Sequence, residues 1–375
     1  AGFCDRWPFQ PMANHSSIRV FWASALALAA GCATFPLDPA PLDQDELDQF
    51  LASGRDARTY GITLYRDPAG ARYEFANRVH PHRAARMDFI SPPSLSVPVI
   101  RGRTGRFVDC HVLLDTSSRQ NWLLLPSVEA MDYRAFAPPI GEYPDHVLSA
   151  IPGYAGVANK LVFDSLHIES PVFHVPPARG GFGPLARAAE LPGRSPRTAR
   201  DRESLGRRTH VIFGAGPMQA FSYVRFDFPG RTVRFSTDAA YQPDDPGALL
   251  AGLPLKFWRG RPAVDATLDG APLLLVLDTG GEFNLSLPAD VPPGATLAIG
   301  DWLLDDVRPT LHDDHGLPAA FPARLGLGLL ARAAVTLDFK QRRVWIESPV
   351  PAARSSDAAD EVRDAPPVQY RGITP

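Results

Sequence analysis

Two aspartates, each at the end of an apolar run, are the residues of this chain best placed to do chemistry. Val112-Leu113-Leu114 leads into Asp115-Thr116-Ser117-Ser118, and Leu275-Val276-Leu277 leads into Asp278-Thr279-Gly280-Gly281. A second apolar segment follows each: Trp122-Leu123-Leu124-Leu125-Pro126 in one case, Asn284-Leu285-Ser286-Leu287-Pro288 in the other. A strand that delivers Asp-Thr into a tight turn, twice in one chain, brings two carboxylates face to face. Held about 3 Å apart they do not both ionise readily, so the pair shares one proton. The ionised member then takes a proton from a bound water while the protonated member polarises a carbonyl. Such titrations belong to the pair, so no separate acid and base are assigned to Asp115 and Asp278.

The elements that must position these aspartates are themselves repeated. The two aspartates are offset by 163 residues (278 − 115). Downstream, Phe213-Gly214-Ala215-Gly216 leads to Phe226-Asp227-Phe228, and Leu325-Gly326-Leu327-Gly328 leads to Leu337-Asp338-Phe339, with Asp227 and Asp338 offset by 111 (338 − 227). Two pairs of matching segments in the same order argue for duplication. The first half is longer by 52 residues (163 − 111), and part of the excess is the Arg-, Pro- and Gly-rich stretch 178–208, read as a solvated basic loop.

Composition narrows the function. The chain has 375 residues, 45% of them hydrophobic, which is enough for a two-lobed body with a real core. A formal charge of −3 gives no reason to expect nucleic acid as a partner. Thirty-nine prolines and thirty glycines favour short strands and turns over long helices. Asp67-Pro68-Ala69-Gly70 is a hairpin signal within 59–77, and Asp43 with Glu46 caps one short helix carrying Leu47, Phe50 and Leu51. Cys110 beside His111 reads as a packed strand residue, and His312 and His315 around Asp313 and Asp314 as a solvated turn. No metal site, phosphate loop, dinucleotide fingerprint or serine elbow is expected.

The amino-terminal segment reads as an address. Met12 begins a segment that reads as a signal peptide, with Arg19 ahead of an apolar stretch from Val20 to Ala30 that is too short to span a bilayer. It ends in Leu28-Ala29-Ala30-Gly31-Cys32, which resembles the lipobox of bacterial lipoproteins, with its leucine one place further from the cysteine than is usual. That resemblance implies lipidation at Cys32 and a bacterial envelope location. Ala33 in place of an aspartate favours the outer membrane, facing the periplasm. An ordinary secretory signal is the alternative.

The paired aspartate motifs resemble those of the pepsin and retropepsin group of aspartic proteases, over roughly residues 95–348. The resemblance implies a mostly β, two-lobed pepsin-like fold (a duplicated retropepsin-like acid-protease β-barrel). Residues 1–32 would be the signal and lipobox, 33–94 a tether with a short helix and hairpin, 95–238 the first lobe with basic loop 178–208, 239–348 the second lobe, and 349–375 a polar tail. It implies Asp115 and Asp278 as the catalytic dyad, with Ile212-Phe213-Gly214 and Leu325-Gly326 bracing the two loops. Thr116 and Thr279 would bond across the seam, and Gly280 would let backbone approach the carboxylates. Ser117 stands where the family has Gly. Tyr154, in Pro152-Gly153-Tyr154-Ala155-Gly156, is the candidate for a flap residue over the dyad. The expected activity is endopeptidase cleavage of peptide or unfolded protein by a monomer, tied to the membrane by its lipid and using no cofactor. The alternative is a silent relative acting as a peptide-binding or envelope-assembly module, and Ser117 is the residue that separates the two.

Overall fold

The structure is a computed structural model. It describes the strands Ala40–Pro41, Thr63–Asp67 and Gly70–Glu74, and residues 78–123 apart from 80, 82 and 105–108. It also describes 134–137, 154–157, 160–169, 171–175 and 178–179, then 196–349 apart from 244, 290–293 and 313–320. Cys32 and the lipobox expected there, the helix expected at 43–51, Gly153, His315 and the tail beyond 349 lie outside the described residues.

Three sheets carry the fold. A six-stranded antiparallel sheet runs in the order Leu249–Pro254, Arg343–Glu347, Ala334–Asp338, Tyr223–Asp227, Thr232–Ser236, Ala84–Asp88. The two Asp-Phe segments meet at its centre, with Arg225 directly opposite Thr336. The repeat offset of 111 also carries 225 onto 336, so the axis that relates the halves passes between these two residues. Duplication and strand pairing therefore describe one symmetry.

On either side of that axis lies a sheet belonging to one half. In the first, the Asp109–Asp115 strand runs parallel to Thr209–Gly214, which pairs antiparallel with Trp122–Leu123. In the second, Ala271–Leu277 runs parallel to Ala323–Leu325, which pairs antiparallel with Leu285–Leu287. The strands leading to the aspartates read as near-continuous apolar runs because they are covered on both faces. Val112, Leu113, Leu114, Leu275, Val276 and Leu277 are all buried. Each such side chain contributes about 1.5–3 kcal/mol. A cluster of Phe163, Phe213, Phe221 and Phe235, with ring centroids 5.1–6.4 Å apart, ties the first sheet to the central one.

Several local expectations meet their outcome here. Thr63–Asp67 and Gly70–Glu74 form the expected hairpin, with Asp67 opposite Gly70 across Pro68-Ala69. Cys110 is buried in its strand, and burial pushes its thiol up to about 12. The basic stretch is in part not a solvated loop. Pro196–Arg208 is a helix, with Pro at its first position and Arg202 and Leu205 buried on one face. His312 is buried rather than solvated. Its Nδ1 lies 2.7 Å from Ser286 Oγ, and its Nε2 lies 3.1 Å from the Phe321 and Pro322 carbonyls.

Tyr154 also departs from expectation. It does not sit at a hairpin tip but heads the strand Tyr154–Val157, which pairs with both Val172–Val175 and Arg134–Ala137. Pairing on both sides overrides the Gly-rich turn signal. Gly156 instead marks a register shift in the ladder.

Candidate functional site

Asp115 ends its strand and Asp278 directly follows its own, so each carboxylate stands at the mouth of a sheet. Both are buried, as are Thr116, Ser117, Ser118 and Thr279. The two threonines bind each other's loops. The Thr116 hydroxyl donates to the Leu277 carbonyl at 2.6 Å and accepts from the Thr279 amide at 3.1 Å. The Thr279 hydroxyl donates to the Leu114 carbonyl at 2.7 Å and accepts from the Thr116 amide at 3.0 Å. Every atom in one set maps onto the other by the offset of 163.

The braces repeat the same logic. Gly214 lies opposite Asp115, and the Asp278 amide donates to the Leu325 carbonyl at 2.9 Å. Both brace glycines are needed for closeness. A β-carbon at Gly214 would stand 2.2 Å from the Gln120 carbonyl oxygen, and one at Gly326 the same distance from that of Phe283. Two strand-borne aspartates, two braces and a reciprocal threonine lock around one axis settle the architecture. It is two-lobed and pepsin-like.

No protein-family model and no curated protein matches the chain. Among solved structures, it is similar to basic 7S globulin from soybean, at 11% identity and a TM-score of 0.46, covering 72% of this chain and 96% of that one. It is also similar to conglutin gamma, a basic 7S globulin from lupine seeds, at 10% identity and a TM-score of 0.40, covering 71% and 95%.

Within this symmetric frame the carboxylates are held differently. Asp115 Oδ1 accepts from the Ser117 amide at 2.8 Å, the Ser117 hydroxyl at 2.7 Å and the Ser118 amide at 3.2 Å. Its carboxyl carbon would lie 2.6 Å from a β-carbon at Gly280, so the group reaches across the seam onto the opposite loop. Asp278 Oδ1 accepts from the Gly280 amide at 3.0 Å. Its Oδ2 accepts from the guanidinium of Arg324, in a buried ion pair, and takes the space that a β-carbon on Gly281 would need.

Ser117 explains part of this difference. It keeps out of the left-handed backbone region, which among described non-glycine residues holds Asp164, Arg231, Arg259, Asp269, Asp306 and Arg342. The substitution for Gly therefore carries no backbone strain. Its β-carbon matters instead. Ser117 matches Gly280, where a β-carbon would collide with the opposing carboxylate. The mirrored place is thus closed to the Asp278 carboxyl group, which lies back against its own loop and Arg324.

Three buried arginines surround the loops, none of them anticipated from sequence. Arg324 belongs to the second brace, at the place where the first has Ile212. Its guanidinium carbon lies 5.3 Å from the Phe283 ring centre and 5.8 Å from that of Phe321. Arg261, at the start of Arg261–Leu268, donates to the Ser117 carbonyl at 2.6 Å and stacks on Phe321 and Trp258. Arg202, on the Pro196–Arg208 helix, pairs with Glu282, which follows the second aspartate loop. Two of these contacts cross the halves. The first half sends Arg202 to the second loop, and the second half sends Arg261 to the first. The sequence did hold one signal, a charged residue inside an otherwise apolar brace at Arg324-Leu325-Gly326.

Proposed function

We propose that this protein is a silent aspartic-protease-like module that holds extended polypeptide and does not cleave it. The observation that carries this reading is the ion pair between Arg324 and Asp278. Cleavage by a carboxylate pair needs a proton shared between two acids and a water bound to both. At this site a guanidinium supplies the compensating positive charge and occupies an Asp278 oxygen, while the Ser117 hydroxyl takes up Asp115 Oδ1. Both aspartates then serve to rivet the two loops together.

The intact threonine lock and the reach of Asp115 onto Gly280 favour a second reading, endopeptidase action by the Asp115/Asp278 pair. One assay separates them. The purified full chain is incubated with unfolded protein from pH 3 to pH 8, and the products are read by mass spectrometry. The silent reading expects no cleavage and saturable binding of peptide. Cleavage that disappears in Asp278→Asn would overturn it in favour of the peptidase.

The setting proposed for this module is the bacterial envelope, outer membrane and periplasmic face, through lipid at Cys32. Cys32→Ser is expected to move the protein from the membrane fraction to the soluble one. Retention in the membrane would exclude the anchor.

A further inference from the structure

The outer face of the central sheet carries a second feature, independent of the aspartates. Arg86 lies directly opposite Arg234, and Arg234 directly opposite Arg225, on three adjacent strands. Strand alternation puts all three on one face, since Ala85, Val224, Phe226, Val233 and Phe235 fill the other. Like charges directly opposite one another destabilise a sheet, and here two such pairs stand side by side.

Arg225 is already compensated. It lies 3.4 Å from Glu347 and 3.6 Å from Asp227, and it donates to the Tyr241 hydroxyl at 2.9 Å. Arg86 and Arg234 are exposed, and among the described residues no salt bridge engages either. Arg234 rests 5.9 Å over the Tyr223 ring. The three arginines, with Ala84, Ala85, Thr232, Asp164 and Asp227, line a cavity of about 520 Å³. Asp227 is occupied by Arg225 and by the Gly230 amide at 2.9 Å, leaving Asp164 as the other acid in the lining.

The geometry points to an oxyanion site, built to take a phosphate or sulfate group between Arg86 and Arg234. Neighbouring strands are about 4.8 Å apart, a spacing that lets two planar guanidinium forks converge on one tetrahedral anion. Arg225, held on the strand beside Arg234 by Asp227, Glu347 and Tyr241, completes the wall. Thr232 offers a hydroxyl at the same wall. The cavity has the size of a small-molecule site, so the anion has room to be an ester of a small organic molecule. The repulsion built into the arginine row is relieved when that group binds.

The test uses the full chain at low ionic strength, titrated with inorganic phosphate, sulfate and phenyl phosphate by calorimetry and thermal melting. Saturable binding that weakens with added salt is expected. Arg86→Gln and Arg234→Gln should each lower affinity by about tenfold or more, and the double variant should abolish it. Without ligand, the same variants should melt no lower than the parent, because each removes a like-charge contact. Tighter binding of phenyl phosphate than of free phosphate would identify the ligand as an ester; equal affinity would identify it as the free anion. Absence of saturable binding by all three, or binding that persists in the double variant, overturns the site.

Discussion

The loop at Asp115–Ser118 and the loop at Asp278–Gly281 share their threonine bonds yet hold their carboxylates by different means. In the first, a serine hydroxyl and two amides converge on one oxygen, and the brace behind is apolar Ile212-Phe213-Gly214. In the second, one amide holds one oxygen and a brace arginine holds the other. The frame of the repeat is symmetric, but its chemistry is not. Two features coincide: a β-carbon on Ser117 closes the mirrored place, and Arg324 pairs with the acid of the other loop. A duplicated fold can keep its lock while its two carboxylates are held by different groups.

The sharpest way to break this comparison is to remove the arginine. Arg324→Met leaves Asp278 as an uncompensated buried acid and should cost about 3–5 kcal/mol in urea unfolding. Asp278→Asn combined with Arg324→Met should recover most of that loss. A single variant as stable as the parent would mean that the two loops are held alike after all.

Acid separates the halves next. Burial holds His174 down to about 3 and His210 to about 4, and both belong to the first half. These values lie below the ordinary 6.5, so the neutral ring stabilises the fold above pH 6.5, and that stability drains away as pH falls toward the folded values. By pH 5 each contributes a loss of about 2 kcal/mol. Urea midpoints measured at pH 7 and pH 5 check this, and equal midpoints would contradict it. An acid cleavage assay must therefore include a measure of folded protein.

Thr116→Val and Thr279→Val probe what the loops share. Each removes a donated and an accepted bond and should cost about 1–3 kcal/mol, by matching amounts. Unequal losses would show that the lock is as lopsided as the carboxylates. The smallest effect belongs to Ser117→Gly, which removes one hydroxyl bond and should cost about 1 kcal/mol.

Much of the frame was legible in the sequence because it is written locally. An apolar strand followed by Asp-Thr, a Gly-containing brace and an Asp-Phe hairpin are each short signals, and their two offsets carried the symmetry. The threonine lock followed from resemblance once those residues were aligned. The arginines were not legible for a physical reason. Whether an arginine is buried depends on segments distant in sequence, such as Arg261 meeting Ser117 and Arg324 meeting Asp278. The helix at 196–208 did carry its own signals, Pro at its first position and Arg202 and Leu205 three apart, but charge composition outweighed them. Tyr154 was misplaced because strand pairing with two neighbours is invisible in a Gly-rich pentapeptide.

The crossing of Arg202 to Glu282 has a consequence for how the molecule is made. A ribosome releases the helix about eighty residues before it releases the glutamate, a gap of 282 − 202 positions. Domains fold in the order in which they emerge. Here one buried ion pair joins the two halves, so the contact between Arg202 and Glu282 is made only after both have been synthesised.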